Sequence, residues 1–117
     1  MDVNYQYVED KKTLSELCKE LNKEKEIGID IECENSFHHY GTYISIIQIS
    51  TRKKNFIVDV IKVKDIKPLI GVLKNPEIMK VFHNIDFDFR ILHYQFDCIP
   101  QNIFDTQMAA EFLGKEN

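Results

Sequence analysis

The chain has 117 residues, 44% of them hydrophobic and 29% charged. That fits one globular domain over residues 1–117 and excludes a second domain, a disordered or fibrous chain and a membrane-spanning one. Fifteen basic against nineteen acidic residues give a net charge of -4, which excludes a module held on duplex DNA by phosphate attraction alone. It leaves room for an enzyme that meets nucleic acid through metal ions, where a carboxylate cluster offsets a basic rim. Arginine occurs only at Arg52 and Arg90, so arginine-rich readout is not expected. Cys18, Cys33 and Cys98 are odd in number and far apart, which suggests neither a disulfide framework nor a zinc site and points to a reducing, intracellular setting. The Met1 to Tyr5 start is not that of a signal peptide, and no apolar run approaches about 18 residues, so a soluble chain is expected.

In chain order, Thr13-Leu14-Ser15-Glu16 reads as a capping box with Thr13 as N-cap. It opens a helix with Leu14, Leu17, Cys18 and Leu21 on its apolar face, ending near Asn22 to Lys25. Ile27 to Glu32 alternates with period two, so Ile27, Ile29 and Ile31 share one face of a strand and Asp30 and Glu32 point to the other. Beyond a polar loop holding His38, His39 and Gly41, the runs Tyr43 to Ser50 and Asn55 to Val60 predict a hairpin about Thr51-Arg52-Lys53-Lys54. Asp65 caps a predicted helix with Pro68 in its first turn and Ile66, Leu69, Ile70 and Leu73 on one face. Ile78 to His83 reads as a strand, and a helix follows from about Asp86 with Phe89, Leu92 and Phe96 in register. Phe104-Asp105 ends a short extended piece, and Thr106 to Leu113 is helical until Gly114. With a weak first strand before the opening helix, this order predicts an α/β fold with a mixed sheet flanked by helices.

The sharpest chemical feature is Asp30-x-Glu32. Two carboxylates two apart on a strand project from one face about 7 Å apart, close enough to share one or two hard divalent cations. A solvated strand face reads the same way, so a second acidic group decides between them. Asp88 supplies it in the first turn of the helix after His83-Asn84, where the helix dipole favours negative charge. Taken blandly, Asp86 is a helix cap and Asp88 a surface acid; taken functionally, Asp88 is a third metal ligand.

Ile29-Asp30-Ile31-Glu32, Ile47-Gln48-Ile49-Ser50-Thr51, Lys80-Val81-Phe82-His83-Asn84 with Asp88, and Ile103-Phe104-Asp105-Thr106-Gln107-Met108-Ala109-Ala110 together resemble the ribonuclease D family of DEDD-type 3′-5′ exonucleases. The resemblance is closest to the exosome-associated nuclear branch and runs from about Gly28 to Gly114. It implies a ribonuclease-H-like fold and metal-dependent removal of nucleotides from the 3′ end of single-stranded RNA, with DNA as the other substrate to test. Asp30 and Glu32 match the first exonuclease motif and Asp88 the acid of the second. In the family these hold two Mg²⁺ or Mn²⁺ ions about 4 Å apart, one activating water and the other stabilising the leaving 3′ oxygen. The family's third motif, Y-x-x-x-D, has no match before Asn117, and Tyr94-x-x-Asp97 has the wrong spacing and lies upstream. The expectation is therefore a domain truncated at its C-terminus, without the general base and fourth carboxylate. It would expose an apolar patch that favours self-association or a covering partner chain. The alternative is a catalytically incomplete exonuclease-like module that binds or scaffolds nucleic acid, and an unrelated α/β domain with incidental acids is the third reading. A nuclear location follows only from the resemblance, and the cytoplasm is the alternative.

Further candidates are assigned more loosely. His38 and Tyr40 in the loop after the acidic strand, and His83 and Asn84 before the second motif, are nucleic-acid contacts. His38 and His39 also read as solvated loop residues, and His83 as a packed or backbone-bonded histidine. Phe37 and Tyr40 either stack on a base or tuck under their own loop. Gln48 is expected to bond buried backbone, Asp105 to be an N-cap, Arg52-Lys53-Lys54 a charged turn with phosphate contact as the minor alternative, and the cysteines small core residues.

Overall fold

The computed structural model describes residues 4–35 and 41–113, with the backbone alone at 35, 111 and 112. The expected cap at Gly114 and the candidates Phe37, His38, His39 and Tyr40 lie outside these residues. In order, the elements are β1 (Tyr5–Val8), α1 (Lys11–Leu21), β2 (Glu26–Asn35), β3 (Thr42–Ser50), β4 (Asn55–Asp59), α2 (Val60–Val63), α3 (Lys67–Lys74), β5 (Met79–Phe82), α4 (Ile85–Phe96), β6 (Ile103–Asp105) and α5 (Thr106–Phe112). The strands form one six-stranded sheet in the order β1-β4-β3-β2-β5-β6. β2, β3 and β4 are antiparallel, whereas β1 joins β4, β5 joins β2 and β6 joins β5 in parallel. The mixed α/β sheet expected from the sequence is the one observed.

Alternation divides the sheet into unlike faces. Ile27, Ile29, Ile47, Ile49, Phe56, Val58 and Phe82 are buried, in one cluster with Leu14, Leu17 and Leu21 of α1 and Leu69, Val72 and Leu73 of α3. The pairing slips between Glu32 and Cys33, leaving Ser45 as an extra residue on β3. Its hydroxyl donates to the Glu32 carbonyl at 3.2 Å. This bulge turns Ile44 inward although it is odd-spaced from Ile47 and Ile49, so β3 buries all three while Asp30 and Glu32 stay exposed on β2.

Local chemistry moves several element starts. Asp10, not Thr13, caps α1: its carboxylate accepts the Thr13 amide at 2.8 Å, because an anion outcompetes a hydroxyl one turn away. Asp65 accepts the Lys67 amide at 3.0 Å and so turns the chain into α3 from one residue further out than a cap; Ile66 holds the cap position. The single turn α2 has no counterpart in the sequence reading, since four residues carry no periodicity; Asp59 caps it by accepting the Lys62 amide at 2.9 Å. The turn between β3 and β4 is closed by Thr51, whose Oγ1 accepts the amides of Lys53 and Lys54. Cys18 and Cys98 are buried, Cys33 is half-buried and all three are free thiols. Among the described residues no helix is long and apolar enough to cross a membrane. Ile103, Phe104 and Met108, on edge strand β6 and on α5, are exposed.

Lys80 of β5 is fully buried. Its Nζ donates to the carbonyls of Asn75 and Gln101, tying together the turns that lead into β5 and β6. Burial holds its ammonium down to about 8. Replacing it leaves two carbonyls without that donor, so Lys80→Met is expected to lower unfolding free energy by about 2 kcal/mol. Urea denaturation checks this, and an unchanged midpoint would mean that water takes over both bonds.

Candidate active site

The second face of the sheet stays open. Strand register lines up Tyr5, Asn55, Ser50, Gly28, Val81 and Phe104 across all six strands, and Asp30 stands opposite Gln48 in the next row. A cleft of about 250 Å³ lies over this face, lined by Asp30, Gln48, Ser50, Asn55, Tyr5 and His83 among others. Glycine at position 28 keeps its floor low: a Cβ there would come within 2.4 Å of the Ser50 hydroxyl oxygen and make that hydroxyl turn away. Gln48, expected to serve buried backbone, thus lines the cleft instead, because its even position on β3 puts it on the open face.

Asp30 and Asp88 are brought together from distant positions. β2 carries Asp30 into the cleft, and the first turn of α4 carries Asp88. Asp88 is partly buried, and its carboxyl is pushed up to about 6, by burial first and then by the negative charges of Asp30 and Asp105. Burial first, then Asp88, raises the Cys33 thiol on β2. Glu32 is exposed two residues beyond Asp30 on the same side of β2, and Glu34 after it accepts the Tyr43 hydroxyl at 3.1 Å. Among the described residues, however, no three His, Cys, Asp or Glu side chains converge into a finished ligand set. Asp30 and Asp88 are a close pair of hard oxygen donors under mutual repulsion, with Glu32 beside them.

Asp105 sets the start of α4. Asn84, the residue before α4, is left-handed at φ 60° and gives the helix no side-chain cap. The cap comes instead from β6: Asp105 Oδ1 accepts the Asn84 amide at 3.0 Å and Oδ2 accepts the Ile85 amide at 2.9 Å. The same Oδ1 accepts the amides of Gln107 and Met108 at the start of α5, at 2.9 and 3.3 Å. One carboxylate therefore caps two helices, and the Ile85 amide foremost holds it below the usual carboxylate range. His83 Nδ1 lies 2.8 Å from Thr106 Oγ1, a second tie between the same two junctions. At the far end of α4, Gln95 Oε1 accepts the Ile44 amide at 2.7 Å and fastens the helix to β3.

The remaining candidates sort themselves by these contacts. His83 is exposed and bonded to a side chain, not packed or backbone-bonded. Asp86 is an exposed first-turn acid and not the cap. Arg52 pairs with Glu26 at 2.9 Å and Lys54 with Glu20 at 3.1 Å, as befits a charged turn. Tyr5, Asn55, Thr106 and Gln95 were not singled out by sequence: three depend on strand register, and Gln95 looks like any helical glutamine.

The chain matches the 3′-5′ exonuclease family model over residues 5–117. It belongs to that family. Protein RRP6-like 3 of Arabidopsis thaliana is 36% identical over 116 residues, covering 98% of this chain and 13% of the relative. The solved catalytic core of RRP6 from Trypanosoma brucei superposes with a TM-score of 0.88 at 34% identity, over 96% of this chain and 31% of that one. RNase D of Trypanosoma brucei, solved in complex with RNA U12, gives 0.80 at 25% identity, over 91% of this chain and 38% of that one. The chain thus spans about an eighth of the plant relative, and its fold is the ribonuclease-H-like fold of RNase D and RRP6 exonuclease domains.

Two substitutions separate the roles of the carboxylates. Since Asp88 ionises less readily in the fold than in the unfolded chain, stability falls as pH rises from about 4 to about 6 and then levels off. Asp88→Asn is expected to remove that decline and to stabilise the chain at pH 7 by about 1 kcal/mol, after allowance for solvent screening. Urea unfolding at pH 4 and pH 7 reads both effects, and a variant less stable at pH 7 would refute the repulsion. Asp105→Ala, by contrast, removes two helix caps and is expected to destabilise by about 2 kcal/mol. Amide hydrogen exchange should then rise at Asn84, Ile85, Gln107 and Met108 together; a rise confined to α5 would mean that α4 does not depend on this cap.

Proposed function

We propose that the chain carries the acidic part of a 3′-5′ exoribonuclease site, which hydrolyses the terminal phosphodiester bond at the 3′ end of single-stranded RNA. The observation that carries this reading is Asp30 in an open cleft with Asp88 of α4 near enough that the Asp30 charge, after burial, pushes the Asp88 carboxyl up. Asp30, Glu32 and Asp88 are assigned as ligands of two Mg²⁺ or Mn²⁺ ions. Their oxygens are hard donors that suit these ions, and a divalent cation would relieve the repulsion between Asp30 and Asp88. When bound, such ions supply a polarised phosphate and a water acidic enough to attack it.

The chain's own residues do the positioning. Asp30, from β2, lines the cleft, and Asp88, from the first turn of α4, stands close enough to it to feel its charge. His83, with Nδ1 engaged by Thr106, offers Nε2 to a phosphate oxygen. Asn84, whose amide is held by Asp105, offers its side chain to the strand beside it. His38 and Tyr40 keep the looser role of nucleic-acid contacts assigned from sequence. Family membership favours hydrolysis over a module that only binds, and the RNA complex of the trypanosome RNase D supports RNA over DNA. Relatives named exosome complex exonuclease RRP6 in Saccharomyces cerevisiae and exosome complex component 10 in Homo sapiens support a setting alongside exosome components, and the nuclear location is kept from the resemblance. The apolar residues Ile103, Phe104 and Met108 would suit a covering chain or a second copy.

The test is a gel time course with 5′-labelled single-stranded RNA and Mn²⁺, beside Asp30→Asn and Asp88→Asn. The expected result is a ladder shortening from the 3′ end that falls at least about 100-fold in either variant. A melting curve gives a second readout: Mn²⁺ should raise the midpoint of the wild type by several degrees and leave both variants unmoved. Metal binding without any trimming would favour the binding-module reading, and absence of both would refute the ligand assignment.

A further inference from the structure

A second hollow, of about 280 Å³, lies beside α4 and is lined by Phe87, Arg90, Ile91 and Tyr94 with Thr42 of β3. Phe87 is 49% and Tyr94 75% exposed, an unusual outlay of aromatic surface on the helix that carries Asp88. We infer that this stripe is the track for the RNA strand upstream of its 3′ end, an inference that rests on the exonuclease reading above.

Three observations point the same way. Phe87, Arg90 and Tyr94 recur at i, i+3 and i+7, so they share one side of α4 and the two rings are about 10.5 Å apart along the axis. That is about three steps of stacked bases at 3.4 Å each. Exposed rings at such spacing hold single strands without regard to sequence, because every base has a face to stack.

The second observation is charge. The chain is net negative, and Asp30 in the cleft has Asp88 near it and the exposed Glu32 two residues on, so a polyanion approaching them needs a cation near the acids. Of the two arginines, Arg52 is paired with Glu26. Among the described residues Arg90 bonds within its helix, its Nε donating to the Asp86 carbonyl at 3.4 Å, which turns its terminal nitrogens to a phosphate or a base face.

The third is continuity. Phe87 adjoins Asp88 in sequence, and Ile91, one turn on, is buried between the stripe and the sheet. A strand with its terminal phosphate at Asp30 and Asp88 therefore meets Phe87 first, then Arg90 and Tyr94. The stripe selects length and single-strandedness, not sequence.

The experiment is fluorescence anisotropy in EDTA, where no hydrolysis occurs, with labelled oligoadenylates of two and eight nucleotides. Tyr94→Ala and Phe87→Ala should each weaken the eight-nucleotide RNA about tenfold and leave the dinucleotide within about twofold for Tyr94→Ala; Tyr94→Phe should bind like the wild type. Arg90→Gln should lower the slope of log affinity against log salt by about 0.7. Equal losses for both lengths, or none, would overturn the track while leaving trimming by the wild type, and so the exonuclease reading, intact. Failure of the wild type to bind either RNA or to trim would overturn both. Sedimentation of the same variants covers the other occupant: a dimer lost on Tyr94→Ala would show the stripe to be a contact between copies and overturn the assignment.

Discussion

Asp105 accepts four backbone amides, two at the start of α4 and two at the start of α5, and the position of Asp88 follows from that. An α-helix leaves its first amides without partners, and α4 has no local side chain to receive them because its first flanking residue, Asn84, is left-handed. A carboxylate on the neighbouring strand fills the gap. The β5–β6 pairing, Phe82 opposite Asp105, brings that strand into place. Lys80, two residues earlier on β5, anchors the turns that lead into both strands. Sheet register thus fixes where the helix begins, and the helix start fixes where the acid stands.

Asp105 and Asp88 make opposite use of the same chemistry. Asp105 is surrounded by donors and stays charged at little cost, whereas Asp88 is partly buried and faced by two other anions. A fold selected only for stability would exchange such an acid for a neutral residue. An acid so placed beside Asp30 is a local conflict in a chain that is otherwise mutually consistent, and it fits the cation site proposed above.

Much of this was legible in the sequence, for reasons that differ by element. The period-two run from Ile27 to Glu32 gave both the strand and the side on which Asp30 and Glu32 lie, since alternation needs no tertiary information. The helix carrying Asp88 was legible from its apolar spacing. What escaped were features set by pairing between distant segments. The Ser45 bulge, the cleft row from Tyr5 to Phe104 and the cap supplied by Asp105 to α4 across 20 residues all depend on register. Asp10 takes the cap from Thr13 because both are good cap residues one turn apart, and the helix starts at the earlier of them, whose carboxylate accepts the Thr13 amide.

The sheet's two faces also explain why a net-negative chain can be read as meeting RNA. One face is committed to the core with α1 and α3, so every polar residue of β2 and β3 that alternation sends outward gathers on the other. That face concentrates acid at one point, Asp30 with Asp88, and two of the three positive charges of the Thr51 to Lys54 turn, Arg52 and Lys54, are paired with Glu26 and Glu20 at the opposite end of the strands. Attraction to phosphate therefore cannot be diffuse here. In the reading proposed here it comes from cations bound at the acids and from Arg90 on α4, which would make affinity a local property of the 3′ end and its near neighbours.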